Sequence, residues 1–64
     1  MTYDDHLVTT ATLVARNFEA QAARPATQLE VAELVLDLRA RLAIWAEVPA
    51  GKTCLAVWRN LRAA

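Results

Sequence analysis

The chain has little of what small proteins use to brace themselves or to carry out chemistry. Its 64 residues include one cysteine (Cys54), one histidine (His6), one glycine (Gly51) and no serine. A single cysteine excludes a disulfide within the chain, and one cysteine with one histidine falls short of the four ligands a structural zinc site takes. The same scarcity removes any nucleophile–base pair, because neither His6 nor Cys54 has a second group to work with. A non-catalytic protein without cofactor or metal is therefore expected. Apolar runs stay well below the 18 residues or so of a membrane span. The opening Met1-Thr2-Tyr3-Asp4-Asp5 has no positive stretch of the secretory kind, and with a lone cysteine the expected compartment is the cytoplasm.

Charge of either sign is not in excess: seven basic residues balance seven acidic ones. Nucleic-acid binders draw much of their affinity from phosphate neutralisation and normally show a basic surplus, so a nucleic-acid partner is not the leading expectation. What the chain has in quantity is apolar residues. They make up 56% of it, against roughly 45–50% in ordinary globular domains. A single domain of this length buries only about 60% of its unfolded surface. Apolar surface is thus expected to remain after one small core has formed, and such patches mark interaction sites. A homo-oligomer, most simply a dimer, is the expected outcome.

Two breaks, Arg24-Pro25-Ala26 and Val48-Pro49-Ala50-Gly51, divide the chain into three segments, which predict an all-α three-helix bundle over about 3–23, 28–47 and 53–62. In the first segment Tyr3, Leu7, Ala11, Val14, Ala15, Phe18 and Ala22 recur on one helical face with Val8 at its border, while Asp5, Thr9, Thr12, Arg16 and Glu19 fall opposite. Thr2 and Asp5 have the spacing of a capping box, with Asp4 and Asp5 at the positive end of the helix dipole. The stretch Val8–Val14 is rich in β-branched residues and would also suit a strand; the coherence of the longer face favours helix.

The second segment opens on Thr27-Gln28-Leu29-Glu30, a full capping box. Val31, Val35, Leu38, Leu42 and Trp45, joined by Leu34, form its core face. Leu29, Ala32, Leu36, Ala40 and Ala43 form a second apolar strip roughly opposite. A helix apolar on two sides needs two neighbours, so this one is expected either to sit in the middle of the bundle or to provide a dimer seam. Glu30, Glu33 and Asp37 share a narrow acidic stripe, read as solvated or as meeting a basic partner surface. In the third segment, which starts as early as Pro49 if proline takes the first helical position, Cys54, Val57, Trp58 and Leu61 face inward. Arg59 and Arg62 suit its C-terminal end.

The candidate partner-binding residues are therefore Leu29, Leu36 and Ala43 on the second strip, Leu55, Trp58, Arg59 and Arg62 on the edge of the last helix, and the acidic Glu30, Glu33 and Asp37. The predicted function is a protein–protein interaction module that works by occluding or scaffolding a partner, with aromatic and arginine side chains carrying most of the energy. In size and Ala/Arg-rich composition the chain resembles accessory proteins of phages and other mobile elements, which implies an inhibitor, for instance of a host defence system. No motif carries that likeness, and it assigns no role to any residue. The alternative is a small helix-turn-helix DNA-binding regulator that would present Lys52, Thr53, Arg59, Asn60 and Arg62 from the last helix to a major groove. One further pattern, Ala46–Thr53, is a residue short of the phosphate-binding G-x-x-x-x-G-K-[ST], with Ala46 in place of the first glycine. That chemistry requires a strand before the loop and a helix after it. Here a helix precedes it, so a chance match in an interhelical turn is expected.

Overall fold

The structure, a computed structural model, describes residues 3–63, and of Tyr3 and Asp4 the backbone alone. The proposed Thr2 capping box and the placing of the Tyr3 and Asp4 side chains lie outside what it describes. Three helices follow in order: α1 over Tyr3–Ala22, α2 over Gln28–Arg41 and α3 over Ala50–Arg62, with a short 3₁₀ turn at Ala43–Trp45. They form an all-α three-helix bundle 32 × 22 × 16 Å across. The β-branched Val8–Val14 stretch is continuous helix within α1. There the packing of the whole face outweighs local strand preference.

The core has two parts. Ala11, Ala15, Ala26, Val31, Val35 and Val57 form the main cluster, with Phe18, Leu34, Leu38, Cys54, Trp58 and Leu61 packed around it. At the other end Leu7, Trp45 and Val48 form a second cluster, bridged to the first by Leu38. The small residues Ala11 and Ala15 let α1 approach its neighbours closely. The buried face of α1 is rotated from the one its wheel predicts: Thr12 is buried, whereas Val14 and Ala22 are exposed. Thr12 tolerates burial because its hydroxyl donates to the Val8 carbonyl at 2.7 Å and accepts from the Asn60 side-chain amide at 3.3 Å. Such an i−4 back-bond leaves no unmet polar group.

The second helix is shorter than expected. It stops at Arg41 rather than near 47, because Leu42 is extended (φ −123°, ψ 117°). The break swings Trp45 across to Leu7 and Val48, and it takes Leu42 out of the core face and Ala43 out of the strip's helical register. Arg39 stabilises the resulting turn, donating from Nε to the Val48 carbonyl at 2.6 Å and from Nη2 to the Ala46 carbonyl at 2.7 Å. Both carbonyls would otherwise lie beyond a helix end without partners. Pro49 caps α3 rather than opening it, and Ala50 is the first helical residue.

The turn between α1 and α2 is tied down from several sides. α1 ends in a Schellman arrangement: the Arg24 amide donates back to the Glu19 carbonyl at 3.3 Å, and Ala23 adopts φ 57°. Glu19 Oε2 then accepts from the Ala26 amide at 2.6 Å and from Arg62 at 3.1 Å, while Arg62 also donates to the Ala26 carbonyl at 3.0 Å. The capping box at Thr27 and Glu30 forms as its spacing predicts.

Glycine and alanine are placed the wrong way round in these turns. Ala23 holds the left-handed conformation that favours glycine, whereas Gly51 lies inside α3 with ordinary negative φ and open space around its missing Cβ. Relief of left-handed strain at Ala23→Gly is expected to stabilise by about 1 kcal/mol. Gly51→Ala is expected to add roughly 0.5–1 kcal/mol through helix propensity. The two sites are at opposite ends of the bundle, so the effects add. Thermal unfolding followed by circular dichroism checks this, with a midpoint rise of several degrees for each and a fall for either counting against the placement.

Candidate functional site

Two surfaces carry the predicted residues, and they lie on different sides of α2. Gln28 borders a groove of about 200 Å³ with Cys54, Leu55 and Trp58 of α3. Glu30, Glu33, Leu34 and Asp37 instead border a larger groove, of about 360 Å³, with Val14, Ala15 and Phe18 of α1. At 100° per residue Leu29, Ala32 and Leu36 sit on the Gln28 side and continue outward from it. Leu29 is 69% exposed, Leu36 49% and Leu55 50%. They combine with half-buried Cys54 and Trp58 into an apolar face spanning α2 and α3. The reading of α2 as a bundle's middle helix is thereby corrected: α1 and α3 share its core side, and the outer strip is uncovered within the chain. Ala43 is exposed in the 3₁₀ turn, out of phase with Leu29 and Leu36.

The charged candidates divide between structural ties and free groups. Arg62 lies over the Trp58 ring, 4.4 Å from its centre, and holds Glu19 and the Ala26 carbonyl; it braces the bundle top. Glu30 receives both arms of Arg24 at 2.8 Å and closes the capping box. The Arg24 hydrogen bonds, then the Thr27 amide, lower its pKa from 4.5 to about 2. Because the folded value is the lower one, its contribution to folding is complete above the ordinary carboxylate range and is lost as pH falls from about 4.5 towards 2. Asp37 pairs with Arg41 at 2.9 Å. Glu33, Lys52 and Arg59 are exposed and make no ion pair among the described residues.

No cluster of three metal-ligating side chains occurs among the described residues. Cys54 lies at the floor of the α2–α3 groove, where burial pushes its thiol pKa up, away from the reactive thiolate. The phosphate-loop pattern is not supported by its surroundings. A 3₁₀ turn precedes it, and Thr53, whose hydroxyl would have to face a ligand, is buried with that hydroxyl donating to the Pro49 carbonyl at 3.2 Å.

No family model, curated protein or solved structure matches this chain. Its own geometry therefore carries the functional reading. Sequence reasoning did not find the structural roles of Glu19, Arg24 and Arg39, whose bonds reach across turns to groups no periodicity reveals. Nor did it find the α1 half of the larger groove. Phe18 packs on the core as its place in the apolar face predicts and also borders this groove, whereas Val14, assigned to the core, is exposed; the signal available was its position near the edge of that face.

Proposed function

We propose that this protein is a small non-catalytic module that binds a protein surface through the apolar α2–α3 face and acts by covering or bridging its partner. The observation that carries this reading is the pairing of a complete core with an uncovered strip. The core closes with no buried side-chain polar atom unmet among the described residues, yet Leu29, Leu36 and Leu55 stand half-exposed or more on one side. Exposed Leu13 and Val14 on α1 and Leu42 and Ile44 in the turn lie elsewhere, whereas these three fall on one side of α2 and α3 beside Cys54 and Trp58. Such a patch is what a binding face requires. Trp58, pinned by Arg62, adds a rigid aromatic at low entropic cost. A reducing, cytoplasmic setting suits the single free Cys54. A role as an inhibitor carried by a mobile element is one form such occlusion takes.

The DNA-binding alternative draws less support from the geometry. Of the polar residues around α3, Thr53 and Asn60 bond within the bundle and Arg62 braces its top. Only Lys52 and Arg59 remain to meet phosphates, too few for strong salt-dependent binding.

Site-specific photocrosslinking tests the proposal. A photoreactive residue at position 36, expressed in the cells the protein comes from, is expected to yield a discrete adduct that the same residue at exposed position 16 does not. Equal or absent labelling at both positions would contradict a binding role for this face.

A further inference from the structure

We infer that the partner seated on the α2–α3 face is a second copy of this chain, related by a two-fold axis running along the bundle. The inference rests on the proposed binding role of that face and names its occupant. The charges flanking that face point to it. Around α2, Glu33 lies just beyond Leu29 and Ala40, on the edge away from α3. Around α3, Arg59 and Lys52 lie just beyond Leu55, on the edge away from α2. The apolar face thus has one acidic border and one basic border, and these three exposed side chains are without ion pairs among the described residues.

A two-fold axis parallel to the helices brings the acidic border of each copy against the basic border of the other. An axis perpendicular to the helices would bring Glu33 against Glu33 and the Lys52–Arg59 border against itself. The charges also match in height. α2 and α3 are antiparallel, since Arg39 reaches the Val48 carbonyl before α3 begins and Arg62 reaches the Ala26 carbonyl before α2 begins. Gln28 borders the same groove as Leu55. The groove also takes in Cys54 and Trp58, so Glu33 lies about 7.5 Å along the bundle from Gln28 and Lys52 about 3–9 Å the same way from those α3 residues, at 1.5 Å per residue. The two groups are then within one turn of each other across the interface, and the border is self-complementary as an isologous contact requires. A standard interface takes roughly 800 Å² from each partner, about a fifth of this chain's 4377 Å².

The test is sedimentation velocity on the purified full chain over a concentration series, with circular dichroism confirming helix in each variant. Wild type is expected to reach a species of twice 7.1 kDa. Glu33→Lys and Lys52→Glu are each expected to weaken association by about fivefold to tenfold, since each places two like-charge pairs in the dimer. The double exchange is expected to return it to within about threefold of wild type, and 0.5 M salt to shrink the single-variant penalties. Leu29→Gln, at the most exposed position, gives a second apolar check and is expected to weaken association with the fold intact. A single 7.1 kDa species throughout would overturn the inference; a position-36 adduct to a different protein would then still uphold the binding role. A dimer whose double exchange is no better than the single ones would overturn it as well.

Discussion

Trp45→Ala is expected to remove most or all of the folding free energy. Trp45 is 7% exposed and closes the lower end of the bundle over Leu7 and Val48, which are themselves buried. Truncating a buried tryptophan to alanine costs about 3–5 kcal/mol, through lost transfer energy and the cavity left behind. A 64-residue domain held by one small core has about 3–5 kcal/mol to lose. The loss extends beyond the ring, because the turn that carries Trp45 has no other large side chain turned inward. Leu42 and Ile44, both just before it in the chain, are about half exposed. Without the indole, only the Arg39 bonds and the smaller Val48 side chain are left to hold the turn. Urea titration followed by helix content is the measurement: the variant is expected to be largely unfolded before denaturant is added. A midpoint close to wild type would mean that the second cluster adds little and that the bundle is held from its other end.

How much of this was legible in the residues depends on whether the cause is local. The start of α2 was, because the capping box is a contact between residues three apart, and Thr27 and Glu30 meet as their spacing requires. Val31, Val35 and Val57 were assigned to the core by periodicity alone, and they are among the most deeply buried side chains. The end of α2 was not legible. No proline or glycine stands between Arg41 and Val48, so nothing local announces the break at Leu42; its cause is tertiary, the gain from seating Trp45 on Leu7 and Val48. The burial of Thr12 was hidden for a similar reason. Its wheel position is polar, but α3 packs on that side and the hydroxyl is satisfied by its own helix. For the candidate site, the outer strip of α2 was visible in the sequence, whereas its division from the acidic stripe by the two grooves depends on where α1 and α3 lie. Arg62 was assigned to a binding edge because its partners, Glu19 and Ala26, are distant in sequence.

Leu36→Glu is expected to separate folding from binding. Leu36 is 49% exposed and belongs to neither core cluster, so a charge there keeps its hydration in the isolated chain. Surface substitutions of this kind fall within about 0.5 kcal/mol of wild type. In a complex the same glutamate would be carried into an apolar contact, losing the leucine's burial and part of its own solvation. That is expected to weaken association by at least tenfold, or about 1.4 kcal/mol, and to abolish adducts formed from a photoreactive residue at position 55. Its neighbour Val35, about 100° further round the same helix, is fully buried. Val35→Glu is expected to unfold the chain, since an unpaired charge cannot be buried in so small a core. Urea unfolding of Leu36→Glu beside Val35→Glu, at concentrations low enough to keep the chain monomeric, is the most direct measurement of the claim that α2 has one face for folding and another for binding. The account predicts near wild-type stability for Leu36→Glu and collapse for Val35→Glu; comparable losses at both positions would show that the outer strip is part of the core and contradict it.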